Sequence, residues 1–158
     1  MLRFVHAGVL LLSLSTAVVA LAPAPPLPAR PSIPEAAYPN CTLNFQARTG
    51  IRAQLADLRL CRNATEHFNY TYLTAFRERI RLFAASLQRY RAVLDAASLT
   101  ADERSNAIAA YEAEKAELEP GGDVYEAERR LADRARRDLE FVGSEICRLR
   151  RRHGSACA

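Results

Sequence analysis

Apolar residues recur at steps of three and four along one long stretch: Leu58, Cys61, Thr65, Phe68, Tyr72, Phe76, Ile80, Phe83, Leu87, Tyr90, Leu94 and Ala97. That recurrence marks one face of an α-helix. The other side is dense in Arg77, Glu78, Arg79, Arg81, Gln88, Arg89 and Arg91, and neither Pro nor Gly falls between Ile51 and Pro120. A helix divided in this way has to lay its stripe on another element. Upstream, the pattern predicts a first helix from near Asn44 to about Leu60, with Ile51, Leu55 and Leu58 inward and Gly50 weakening its start. Arg62-Asn63-Ala64 reads as a break, with Asn63 and Thr65 as N-caps. The apolar stripe nevertheless passes through it without slipping.

Downstream, Thr100-Ala101-Asp102-Glu103 has the form of a capping box, with two acids in the first turn. It predicts a helix carrying Ile108, Tyr111 and Leu118 that stops at Pro120-Gly121-Gly122. Asp123 then caps a last helix with Val124, Leu131, Ala135, Leu139, Val142 and Ile146 inward, ending between Arg150 and Gly154. Three or four amphipathic helices on short connections predict an all-α fold, a small up-and-down helical bundle.

The ends of the chain read differently. Met1 to Ala20 carry Arg3, then the apolar run Ala7–Leu12, then small residues, the form of a secretory signal peptide. Ser13, Ser15 and Thr16 interrupt the run, which argues against a membrane anchor, and no later stretch is long and apolar enough to span a bilayer. Seven of the eight prolines lie between Pro23 and Pro39. Residues 21–40 are therefore an extended, semi-rigid leader, and 41–158 the helical bundle domain. Three of the five Asn sit in acceptor sequons, at Asn40, Asn63 and Asn69. Such enrichment points to a secretory route, and it places Asn63 and Asn69 on the surface, because glycans are bulky and solvated.

Cys41, Cys61, Cys147 and Cys157 are even in number in a chain with a secretory signal, so two disulfides are expected to staple the bundle. Sequence alone allows three connectivities. Nested pairing, Cys41–Cys61 excluded, joins Cys41 to Cys157 and Cys61 to Cys147 and folds both pairs about the turn at the capping box. Local pairing, Cys41–Cys61 and Cys147–Cys157, needs only short loops. A helix running from Asn44 to Leu60 would hold Cys41 and Cys61 about 25 Å apart, beyond disulfide reach. The nested pattern is the one favoured.

The formal net charge is +4, and removing residues 1–20 takes away only Arg3. The basic residues are 21 Arg and a single Lys, and guanidinium groups favour forked contacts with carboxylate, phosphate and sulfate. Arg77, Arg81, Arg129, Arg130, Arg134, Arg136, Arg137 and Arg148 to Arg152 suggest a stripe for sulfated glycans, interleaved with acids. Arg148, Arg150, Arg151 and Arg152 also resemble a basic site for secretory proteases, or else form a solvated helix end favourable to the helix dipole. Nucleic acid does not belong to this compartment.

No HExxH, GxSxG, P-loop or GxGxxG motif occurs, and Glu112/Glu114 and Glu126/Glu128 alternate with basic residues as solvent-facing ion pairs do. No enzyme activity, metal or cofactor is expected. The placement of two early and two late cysteines resembles the small accessory glycoproteins of herpesvirus entry complexes, and that resemblance implies an accessory subunit in a virus–host setting. The helices are similar to cytokines in architecture alone. The expected function is a secreted, glycosylated helical binding protein, a cytokine-like ligand or decoy that contacts a receptor. One alternative is an accessory subunit of a larger membrane or viral envelope glycoprotein complex. A small-ligand carrier is the other.

Overall fold

The computed structural model describes residues 24–41 and 50–157. The signal peptide expected over 1–20 and the helix start expected at Asn44 lie outside them. Among the described residues the fold is all-α with no strand. Its helices are α1 (Ile51–His67), α2 (Thr74–Ala96), α3 (Ala101–Ala116) and α4 (Asp123–Arg152). One wide π turn, Phe68–Leu73, joins α1 to α2 with helical backbone on both sides, so Ile51 to Ala96 forms one long helix. The small up-and-down bundle read from the sequence is therefore present.

The break expected at Arg62-Asn63-Ala64 does not occur. Asn63 and Thr65 lie inside α1, and Thr65 is fully buried rather than capping a helix. The continuous stripe outweighs the local cap signals, because burying it against α4 stabilises the helix more than ending it would. The irregularity falls six residues later and has a different cause. From Cys61 to Ile80 an ideal helix overshoots five turns by about 100°, one residue's worth of rotation. The π turn, with its i→i+5 spacing, takes up that residue. Leu73 consequently enters the core at 0 % exposure, whereas Tyr72, expected inward, is 41 % exposed. Thr74 Oγ1 donates to the Asn69 carbonyl at 3.2 Å across the wide turn.

The chain returns along this long helix in two pieces. Tyr90 and Leu94 of α2 pack on Ala107 and Tyr111 of α3. Phe68, Leu73 and Phe76 pack on Val124, Leu131 and Ala135 of α4. Leu58 and Cys61 meet Val142, Ile146 and Leu149 at the far end of α4. Both return helices thus run antiparallel to the long helix, α3 along α2 and α4 mainly along α1.

The turn into α3 is the capping box read from the sequence. Thr100 Oγ1 accepts from Glu103 N at 3.3 Å, and Thr100 N donates to Glu103 Oε2 at 3.0 Å. Accepting from Thr100 holds the Glu103 carboxyl below its ordinary pKa. Asp123, expected to cap α4, is instead its first residue and Gly122 takes the cap position without a side-chain bond. A Cβ at Gly122 would fall 2.3 Å from the Ala116 carbonyl oxygen, so the tight passage from α3 to α4 admits only glycine there. Asp123 N donates to Glu117 Oε2 at 2.9 Å in place of a cap.

The leader lies along the return arm. Arg30 pairs with Glu114 and Glu117 at the end of α3, and Arg130 of α4 donates to Glu35 at 3.1 Å. Tyr38 ends the strap. It is buried in the main core, edge-on to Phe68 at 4.8 Å between ring centroids, with the Arg134 guanidinium 4.1 Å over its ring. Its hydroxyl donates to Asp138 Oδ2 at 2.6 Å.

Two outcomes follow. Leu73→Ala is expected to cost about 2–5 kcal/mol by leaving a core cavity, while Tyr72→Ala costs under about 1.5 kcal/mol. Urea unfolding of both variants checks this, and the reverse order would place the extra residue elsewhere. Tyr38→Phe is expected to cost about 1 kcal/mol at neutral pH. Burial, and then the Asp138 carboxylate that accepts its proton, raise the Tyr38 phenol above its ordinary value of 10.0. The folded state therefore favours the neutral phenol. Its contribution is fully present below about pH 10 and declines as pH rises beyond that value. The gap in Tm between wild type and Tyr38→Phe should narrow above pH 10.

Candidate functional site

All four cysteines come together at one end of the molecule, but not in the nested pattern. Cys41 is bonded to Cys61 with Cα atoms 5.6 Å apart, and Cys147 to Cys157 with Cα atoms 5.2 Å apart. The 25 Å separation that counted against local pairing required helix from Asn44. With α1 opening at Ile51, Cys61 lies only about 15 Å along it. The nine residues between Cys41 and Ile51 can reach about 30 Å, enough to bring Cys41 back beside Cys61. At the other end, Gly154 (φ +73°) turns the chain after α4, with Gly154 N and Ser155 N donating back to the Arg151 and Arg150 carbonyls. That reversal lays Cys157 against Cys147. The antiparallel register that motivated the nested pattern is present in the helices, where Cys61 packs on Ile146. The covalent bonds stay within each arm.

The interleaved arginines largely pair with acids of their own or the facing helix. Arg77 meets Glu128 at 2.6 Å, Arg81 meets Glu78 at 2.6 Å, Arg129 meets Glu126 at 2.6 Å, and Arg136 meets Asp133 and Glu140. Arg130 and Arg134 are turned to the leader by Glu35 and Tyr38. Hydrogen bonds to Arg81 and Arg129 hold the Glu78 and Glu126 carboxyls below their ordinary range. The arginine stripe suggested by the sequence, interleaved with acids, is divided up in this way.

The disulfide end is different. Arg148 is tied to Glu145, whose hydrogen bond raises its pKa further. Arg150, Arg151 and Arg152 occupy the last turn of α4 and make no ion pair among the described residues. Arg150 lines an open cleft of about 140 Å³ between α1 and α4, together with Arg59 and Arg62, over a floor of Ile146, Cys147 and Cys157. Among the described residues no carboxylate lines it. Arg62 also pairs with Glu66 at 2.8 Å, one turn away. Sequence reasoning singled out the α4 arginines and missed Arg59 and Arg62. They flank Cys61 three residues apart on one face of α1, and only the antiparallel register brings them opposite Arg150.

The sequons distribute along the surface. Asn63 is exposed in mid-α1, Asn40 is exposed beside Cys41, and Asn69 is half-buried in the π turn. Thr65, the hydroxyl residue of the Asn63 sequon, is fully buried, with its oxygen 4.0 Å from Cys41 Sγ. Thr71, which serves Asn69, is exposed with its hydroxyl 3.4 Å from His67 Nδ1.

Among the described residues no group of three His, Cys, Asp or Glu is placed to hold a metal ion, and no helix is long and apolar enough to cross a membrane. No protein-family model, curated protein or solved structure matches this chain.

Non-reducing peptide mapping is expected to recover Cys41–Cys61 and Cys147–Cys157. Replacing either pair by Ser should cost about 3 kcal/mol in the chain-entropy view, since the loops are of 20 and 10 residues. Within each pair the single and double variants should be equally impaired, because the second substitution breaks nothing further.

Proposed function

We propose that this chain is a secreted, N-glycosylated helical binding protein, a ligand or decoy that acts by contacting another protein through a preformed helix face. One observation carries the reading. Leu82 and Val93 are about half exposed and stand three turns apart on one row of α2, with Ser86 and Arg89 between them. Large apolar side chains on a rigid helix supply contact area at little ordering cost. The row runs from the middle of α2, where Leu82 and Ser86 border the leader at residues 28–32, to the α2–α3 end, away from the sequons at Asn63 and Asn69. Glycans at those positions direct a partner to this end. Disulfides, a half-exposed apolar row and surface sequons together fit an extracellular binding module.

A second reading draws on Tyr70, Leu60 and Phe141, which are exposed at 75 %, 68 % and 51 %. Apolar side chains this open can mark a surface made for permanent assembly, so the alternative is an accessory subunit of a larger membrane glycoprotein.

Expression of the full chain in mammalian cells separates the two. A freely secreted monomer that stains intact cells, with staining lost in Leu82→Glu/Val93→Glu at unchanged circular dichroism, supports the ligand. Retention in the cell until a partner is co-expressed supports the subunit. Undiminished staining by the double variant removes α2 from the contact. Glycan use is read separately: Thr65→Val keeps the packing at that buried position but destroys the Asn63 sequon. It is expected to remove one glycan's mass from the secreted chain, and an unchanged mass would show that Asn63 is not modified.

A further inference from the structure

We infer that the cleft between the C-terminal turn of α4 and the middle of α1 is a binding site for the sulfate groups of an extracellular sulfated polysaccharide, formed by Arg59, Arg62 and Arg150.

Three features separate this cleft from the rest of a basic surface. The first is electrostatic. Elsewhere on the helices arginines face acids three or four residues away, as at Arg81, Arg129 and Arg136, and their fields are cancelled locally. Among the described residues the cleft is lined by three guanidinium groups and no carboxylate; Arg62 also reaches Glu66 at 2.8 Å, while no acid of the lining offsets Arg59 or Arg150. Arg151, Arg152 and His153 follow Arg150 directly in sequence and are exposed. Like charges lining one cleft repel, and a bound oxyanion relieves that repulsion.

The second feature is chemical. All three cations are Arg, whose planar fork of N–H donors matches the paired oxygens of a sulfate and is more weakly hydrated than an ammonium. A sulfate ester stays fully charged at any physiological pH and accepts from several guanidinium groups at once. A run of such esters along an extended polysaccharide can occupy the cleft and continue over Arg151 and Arg152. Between proteins, phospholipids and sulfated glycans, the last combines extracellular location with repeating fixed negative charge.

The third feature is rigidity. The donors come from two antiparallel helices, and the Cys147–Cys157 disulfide forms part of the floor. The Arg150 and Arg151 carbonyls are already occupied by the Ser155 and Gly154 amides. The site is therefore held in shape before binding, which lowers the ordering cost. The inference stands apart from the protein contact proposed on α2, since the two lie at opposite ends of the hairpin.

The test is heparin-affinity chromatography and titration of the folded, oxidised chain at physiological salt. Three variants are compared with wild type: Arg59→Ala/Arg62→Ala/Arg150→Ala, the charge-preserving Arg59→Lys/Arg62→Lys/Arg150→Lys, and Arg81→Ala/Arg129→Ala/Arg136→Ala, which removes the same charge elsewhere. The cleft Ala variant is expected to bind about tenfold or more weakly and to elute at lower salt, while the control stays near wild type. The Lys variant should lie between them and, because it keeps the charge and stems, stands in if the Ala variant fails to fold. Desulfated heparin should not compete. An equal loss in the cleft and control variants would reduce the effect to bulk charge and overturn the site. So would competition by desulfated heparin, or binding of anionic phospholipid vesicles but not heparin. Staining of cells through the α2 row reads the protein contact independently, so either result can fail alone.

Discussion

The long helix from Ile51 to Ala96 sets one condition for the rest of the molecule: its apolar face must stay in line over its whole length. A regular α-helix cannot meet that condition with this sequence, because the stripe drifts around the axis. The π turn at Phe68–Leu73 resets it, at the centre of the main core where Phe68, Leu73 and Phe76 meet α4. Only then can α3 and α4 cover the same face in succession. Had the stripe drifted, α4 would have had to follow it around the axis and lose its contacts with Leu58 and Cys61.

Dividing the return arm creates a weak point between α3 and α4, and the leader crosses it. Arg30 is held by Glu114 and Glu117 on one side of the junction, while Glu35 and Tyr38 engage Arg130, Arg134 and Asp138 on the other. The exposed ion pairs add little individually. Tyr38 supplies more, since its ring is buried against Phe68 and its hydroxyl is satisfied. The proline-rich composition fits this task, because a chain already restricted in φ loses less entropy when laid down. The two disulfides act further along, and the first of them, Cys41–Cys61, anchors the end of the leader to α1. Each closes a short loop and ties the segment flanking a helix back onto that helix.

The charges follow the same division. Along the helices, acids placed three or four residues from arginines cancel the field locally, which keeps a basic chain from repelling itself. At the disulfide end this cancellation lapses around Arg59 and Arg150. At the other end, α2 carries half-exposed Leu82 and Val93. The hairpin therefore presents chemically distinct ends, with Asn63 beside Arg62 at the first and Asn69 between the two.

Local rules in the sequence determined much of this. Helical periodicity gave the long helix, α3 and α4, and eleven of its twelve stripe positions face inward or half inward. The Thr100–Glu103 box gave the start of α3 from residues three apart. What the sequence misjudged depended on tertiary structure. Tyr72 and Leu73 are adjacent, and only the demand of α4 for a straight stripe selects Leu73. Gly122 displaces Asp123 as the cap because α3 leaves no room for a side chain. The disulfides turned on whether helix preceded Ile51, and the cleft on which residues of two distant helices stand opposite one another. Those are relations between segments far apart in the chain, and spacing within one segment carries no information about them.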